Sequence, residues 1–393
     1  MKSLIKTVFF LICSLQLQAC SHNARPLKDQ QAPPPSVNIN YELFPSYGNK
    51  DFSHQPIFQL SEKQQQIFLT DHKQRLKNGV RPDQAVADFL QSKLSNFTYY
   101  GETYDAQTTM YLNKGNCMSL AMLTAAFAKI AGLEFDFVEV NTIPIFDKQG
   151  SLIMSSNHVQ TRLYDPNYTP KPNRITLVRP HTVIDYFPDS NDHRGKNIDH
   201  SEFIAKYYNN IAAEALIDDR IELAFQYAMA GYKADEHNPE TLNLLAVLHK
   251  RSGDFATAEQ LYLAGMHYES NNIRLLSNYI ILLERQQRMV KANALRTQLA
   301  KLDDPNPYNW LEQAYIAQSN QQDAEAIKYY RKVLKLAPYV QPAYLGLYQV
   351  YLSNQRPKAA QKVLTNALEW SYDPEQRQGY KYKLYQLSKP HSP

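Results

Sequence analysis

Five alanines, Ala224, Ala258, Ala292, Ala326 and Ala360, recur at intervals of 34 residues. In the same register run Tyr208, Leu242, Leu276, Trp310 and Tyr344, and again Ile211, Leu245, Tyr279, Gln313 and Leu347. A fixed period of this length implies a repeated supersecondary unit whose apolar face is buried only when its neighbour stacks on it. From about residue 205 the texture is continuous helix, with Gly253 between the two helices of its repeat and Pro338 closing its own. Each unit therefore reads as a helix–turn–helix, with alanine where paired helices cross. An irregular helical bundle does not account for five alanines in register. The first and third copies are degenerate, because Asp219 and Gln287 stand where Gly253 stands in the second.

The N-terminal half is organised around residues 113–140, which read N-K-G-N-C-M-S-L-A-M-L-T-A-A-F-A-K-I-A-G-L-E-F-D-F-V-E-V. A Gly-Asn loop delivers Cys117 to the first turn of an apolar, Ala-rich helix that stops at Gly132, and a strand follows at once. A thiol there meets unpaired N–H groups and the positive end of the helix dipole, which favour thiolate. The alternative is a small buried hydrophobe. Of the other two cysteines, Cys13 and Cys20 follow Lys2, Lys6 and the apolar run 8–12. That pattern is a secretory signal, too short for a membrane span. With such a signal removed, Cys117 has no disulfide partner in a compartment that permits disulfides.

Taken in order, residues 21–55 contain Pro26, Pro33, Pro34 and Pro35 among polar residues and read as a flexible tether. Ser61-Glu62-Lys63-Gln64 is a capping box opening a helix to about Leu76, and Pro82 opens a second with Val86, Phe89, Leu90 and Leu94 on one face. Strands are expected at 134–141, 157–164, 174–178 and 181–187, with 143–153 a hairpin-like excursion around Pro144 and Gly150. In 157–164, Val159, Thr161 and Leu163 fall on one face and His158, Gln160, Arg162 and Tyr164 on the other. Helices followed by antiparallel strands make an α+β pattern.

Three resemblances follow from these residues. Leu17-Gln18-Ala19-Cys20 resembles the lipobox of bacterial lipoproteins, which implies cleavage after residue 19, acylation of Cys20 and attachment to a membrane; an ordinary signal cut nearby is the alternative. Gly115-Asn116-Cys117 at a helix start, His158 on a strand and Asp185 on the next resemble the transglutaminase-like, papain-related superfamily over about residues 60–200. That resemblance implies Cys117 as nucleophile, His158 as base and Asp185 as the carboxylate orienting the imidazole, in acyl chemistry on amides. The family's His-Ala-Trp pattern is His158-Val159-Gln160 here, and the 27-residue spacing from His158 to Asp185 is longer than usual. The 34-residue units resemble the tetratricopeptide repeat, whose concave face holds an extended peptide or a partner helix.

Asp165 is a nearer carboxylate, but it lies an odd seven residues along from His158, on the opposite strand face, and precedes Pro166 in a turn. His181, His193 and His200 lack ligand spacing, and the Asp/Asn-rich 189–199 lacks the glycine of a calcium loop, so neither metal nor cofactor is expected. The formal charge of +4 falls to about +2 once Lys2 and Lys6 are removed, too little to argue for nucleic acid.

The expected organisation is a signal peptide at 1–19, a lipidated tether at 20–55 and a transglutaminase-like, cysteine-peptidase-like α+β domain at 56–200. An all-α tetratricopeptide solenoid of five repeats follows at 205–374, then a capping helix and tail at 375–393. The expected function is thiol-based acyl chemistry on peptide or protein amides, hydrolysis rather than crosslinking, with a protein or peptide partner on the repeats. A catalytically silent scaffold is the alternative. Ser21 after the lipidated cysteine points to the periplasmic face of the outer membrane in a bacterial envelope. Cys20→Ser is expected to release the mature protein from the membrane fraction in a folded state, read by fractionation; unchanged membrane association would refute the lipobox.

Overall fold

The computed structural model describes residues 36–388 apart from 49–51, 53–55, 95, 100, 150–151, 170–177, 187–192, 300, 303, 305 and 372, and describes the backbone alone at 141–149, 152–158 and 193. The signal, Cys20 and most of the strand expected at 174–178 lie outside the described residues.

Helix α1 (Glu62–Lys77) begins at the expected capping box, in which Ser61 and Gln64 satisfy each other's backbone N–H. Helix α2 (Pro82–Leu94) buries Val86, Phe89 and Leu90. After α3 (Ala106–Leu112), capped by Asp105, comes α4 (Cys117–Ile130), whose residues 118–128 are all buried. A helix that is apolar all round must be enclosed. Phe68 and Phe89 cover its Phe127 on one side, and a sheet covers another. Gly132, at φ +68°, ends α4: Leu133 N–H returns to Ala128 O at 2.9 Å and Gly132 N–H to Lys129 O at 3.2 Å. That is the Schellman pattern, which needs the left-handed residue a glycine supplies.

Strands β3 (Phe135–Gln149) and β4 (Leu152–Tyr164) form one long hairpin; a two-residue parallel pair noted with the site below supplies β1 and β2. β5 (His181–Asp185) and β6 (His193–Ile198) flank the hairpin in the antiparallel order β5-β4-β3-β6. Val159, Thr161 and Leu163 are buried toward α4, as the alternation predicts. The hairpin-like excursion at 143–153 extends the same two strands, with Ile145–Gln149 paired to Leu152–Ser156, and the ladder is irregular between Val140 and Ile145, where Pro144 has no N–H to give. One sequence expectation changes. The stretch 189–199 contains β6, concealed from propensity by Gly195, Lys196 and Asn197, with Ile198 its buried apolar residue.

Helix α5 (His200–Ile217) joins both halves. Phe203 stacks on Phe137 of β3 with centroids 3.5 Å apart and packs into the α+β core. About two and a half to three and a half turns later, Ala212, Ala215 and Leu216 enter the core of the repeats. The boundary expected between 200 and 205 thus falls inside one helix. Repeats follow as pairs: α5 with α6 (Ile221–Ala234), α7 (Pro239–Arg251) with α8 (Phe255–Tyr268), and α9 (Ile273–Arg285) with α10 (Met289–Leu299). Then come α11 (Pro307–Ser319) with α12 (Asp323–Leu336), α13 (Gln341–Ser353) with α14 (Pro357–Glu369), and a final α15 (Pro374–Ser388). The five register alanines are each 0% exposed, because a larger side chain would push the crossing helices apart. The fourth copy departs elsewhere: Gln313, in the position of Leu245 and Tyr279, is exposed.

The array has two cores. One spans Ala212 to Ala292 with Leu295 and Leu299 against it, and the other runs from Leu311 onward. Within α10 only Ala292 is buried among the described side chains, and Val290 is 88% exposed.

Residues 36–48 are not free tether. Phe44, 1% exposed, stacks on Phe225 at 3.7 Å, with Tyr41 and Tyr47 around the same ring. Asn40 Nδ2 donates to Asp254 at 3.2 Å, and Ser46 N–H donates to Glu222 at 3.1 Å. The Pro-rich, polar composition upstream hid this aromatic strap. Burial of Phe44 contributes about 2 kcal/mol to docking it.

The turns between paired helices carry the repeat's strictest backbone demand. Asp219, Gly253, Gln287, Gln321 and Gln355 all have positive φ, 34 residues apart, although only one is glycine. A β-carbon there costs about 1–2 kcal/mol. Gln287→Gly and Gln321→Gly should therefore each stabilise the fold by roughly 0.5–1 kcal/mol after glycine's unfolded-state entropy is subtracted, seen as a higher urea midpoint at unchanged m-value.

Candidate functional site

Cys117 is half-buried at the first position of α4. Its approach is fixed from both sides. Gly115 has φ +147°, and a β-carbon there would stand 2.6 Å from Ser119 Cβ, so the Gly-Asn loop needs its glycine. Asn116 caps the helix by accepting from Ser119 N–H at 3.0 Å, and its amide donates to Thr103 Oγ1 at 2.8 Å and Gly101 O at 3.1 Å. Strand β1 (Thr98–Tyr99) pairs in parallel with β2 (Lys114–Gly115) and sets Tyr99 opposite Gly115. From there the Tyr99 hydroxyl accepts the Cys117 N–H at 2.8 Å and also hydrogen-bonds the thiol. Burial, followed by the Cys117 charge, holds the Tyr99 phenol well above its ordinary range, so it stays protonated. Nothing in the sequence marks this contact between residues 18 positions apart.

Helix α4 lies along β4. Tyr186, just beyond β5, joins them: its hydroxyl bonds Thr124 Oγ1 of α4 and Thr161 Oγ1 of β4, both at 2.8 Å. β3 starts directly after α4 and β4 returns beside it, so β4 runs in the same sense as α4. Cys117 lies seven residues before Thr124, about 10 Å along a helix. His158 lies three before Thr161, about 10 Å along a strand. The backbone at 158 is thereby about level with Cys117. His158 pairs with Val140, and its side chain lies outside the described residues.

Asp185 pairs with Gln160, and Gln160 Nε2 donates to its Oδ2. Position 158 is one strand repeat from 160. Strand alternation sets Asp185 on the face opposite Ile184 and Tyr186, which pack toward α4. Asp165 lies past the end of β4, 4.0 Å from Arg81. His200 stacks on Phe58, and His181 Nδ1 lies 2.8 Å from Arg179 O. A cleft lined by Pro56, Phe58, Lys129 and His200 sits at the other end of α4 from Cys117.

A further carboxylate reaches the loop from the repeats. Glu214 of α5 accepts the Thr103 N–H at 2.9 Å, so the chain Glu214–Thr103–Asn116 ends on the residue before Cys117. Burial pushes Glu214 up to about 7, with Glu102 and Asp218 adding repulsion against the Thr103 bonds. Nearby, Lys206 of α5 lies 3.5 Å from Glu139 of β3 and 3.7 Å from Glu240 of α7. Lys206 holds Glu240 down to about 2.

Residues 318–379 match the tetratricopeptide repeat family. No curated protein matches the chain. Among solved structures, PilF of Pseudomonas aeruginosa is 16% identical, covers 49% of this chain and 96% of its own, and has a TM-score of 0.36. Yeast Tom70 is 17% identical with coverage of 47% and 39% and a TM-score of 0.38. PilW, a type IV pilus biogenesis factor, is 14% identical with coverage of 47% and 90% and a TM-score of 0.31. The C-terminal part of this chain is an all-helical, tetratricopeptide-like array.

Glu214 carries a pH signature. Its folded pKa, about 7, lies above that of a free glutamate, so between about pH 4.5 and 7 the folded state keeps a proton that the unfolded chain has released. Stability from this group is therefore lost as pH rises through that window. Glu214→Gln should flatten the fall by on the order of 2 kcal/mol between pH 5 and 8, measured by urea unfolding.

Proposed function

We propose that the repeat array binds a polypeptide and presents it to a thiol site in the α+β half that acts on peptide or protein amide bonds. The observation that carries this reading is the seat of Cys117: a thiol on the first turn of an enclosed helix, with its own N–H at the surface of the loop. In the proposed cycle the Cys117 thiolate attacks the amide carbon, His158 carries the proton to the leaving amine, and a thioester forms. Water then attacks the thioester, releasing the acid and restoring the thiol. The negative oxygen formed at each step is stabilised by the Cys117 N–H. Asp185 orients His158 in this scheme. The order Cys, His, Asp supports it, as does the likeness to the transglutaminase-like fold noted from the sequence.

A second reading, a silent scaffold that only holds partners, is favoured by the Gln160–Asp185 bond, which occupies one oxygen of the proposed orienting carboxylate. Both readings take the chain to be anchored through Cys20 at the periplasmic face of the outer membrane.

Two measurements separate them. On the catalytic reading, iodoacetamide labels Cys117 at pH 6 at least about tenfold faster than a free cysteine peptide. Asp185→Asn then lowers amide turnover by about a hundredfold or more in a folded protein, while Asp165→Asn stays within a few-fold. Slow labelling at pH 6 leaves the scaffold reading standing.

A further inference from the structure

The Cys117 N–H is a single donor, and Tyr99 already holds it at 2.8 Å. One N–H makes one strong, linear hydrogen bond at a time. Two of its neighbours are also taken: Ser119 N–H goes to Asn116 Oδ1, and Leu120 N–H to Asn116 O. An acyl oxygen developing charge beside Sγ must therefore either replace the Tyr99 oxygen or do without this amide.

We propose that Tyr99 is a gate on the Cys117 site: its hydroxyl sits in the place of the acyl oxygen in the resting protein, and a substrate carbonyl must displace it to react. This rests on the acyl-transfer reading above. Two features suit a gate rather than a fixed wall. Tyr99 is 44% exposed, so its ring has somewhere to go. Its backbone is nevertheless pinned by the two-residue ladder to Lys114 and Gly115, so the side chain alone must move and return. Substrates that bring their carbonyl in firmly, held elsewhere on the protein, are thereby selected over free small amides.

The test compares two probes on the full chain. N-acetylglycinal adds reversibly to Cys117: the S–C bond forms, the carbonyl π bond opens, and the oxygen takes up the proton the thiol gives, passing through the oxyanion seat. Methyl methanethiosulfonate also reports on the thiol but forms no oxyanion. Tyr99→Phe removes the competing hydroxyl and keeps the ring. It should bind N-acetylglycinal about tenfold more tightly, the value of one hydrogen bond that need no longer be displaced, while its rate with the thiosulfonate changes less than about threefold. Unchanged or weaker aldehyde binding in folded Tyr99→Phe, with the parent still binding it, overturns the gate and leaves the acyl-transfer reading intact. Aldehyde binding by neither protein, with both labelled by the thiosulfonate, removes the oxyanion seat and both proposals with it. An equal rise with both probes marks simple unmasking of the sulfur and also refutes displacement at the amide.

Discussion

The structure depends on one helix being buried twice. α5 stacks Phe203 on Phe137 of the sheet and, within four turns, places Ala212 and Leu216 in the first repeat. A helix of 18 residues spans about 27 Å, enough to cross from one core to the next without a linker. Truncating Phe203 in such a core costs about 3–5 kcal/mol, a large share of a typical domain's net stability. The ion network of Lys206 with Glu139 and Glu240 lies on the same helix and ties the same two halves by charge. Lys206 is 9% exposed, so its attraction to those carboxylates is offset by desolvation.

This continuity gives the Cys117 loop a neighbour that a linker-joined pair of domains would not have. Glu214 reaches it from the repeat helix through Thr103 and Asn116. The repeats and the thiol are joined by three successive hydrogen-bonding residues, without a flexible connection between them. The first repeat and the geometry of the loop thus share a physical path.

Much of the architecture was legible because periodicity is a backbone property. The 34-residue alanines, the Ser61 capping box and the alternation of Val159, Thr161 and Leu163 each report a local geometry, and each is where it was expected. What stayed hidden depends on contacts distant in sequence. Phe44 reads as a stray aromatic in a polar leader until Phe225, far along the chain, supplies its face. β6 is a strand because β3 offers it an edge, despite Gly195, Lys196 and Asn197. Of the candidate site, the glycine, the cap and the thiol at 115–117 were legible as a unit. Tyr99 was not, since a two-residue parallel ladder has no sequence period to announce it. The Gln160–Asp185 bond was equally invisible, although both residues had been assigned to neighbouring strands.

The aromatic strap changes the reach of the molecule. Under the proposed attachment at Cys20, a tether ending at residue 55 would let the body roam well over 100 Å from its lipid, at about 3.5 Å per residue. With Phe44 and its neighbours fastened to the repeats, the span from Cys20 to residue 36 covers at most about 55 Å even when fully extended. It leaves from the edge of the first two repeats. Anything the protein engages from such an anchor must come within that shorter radius.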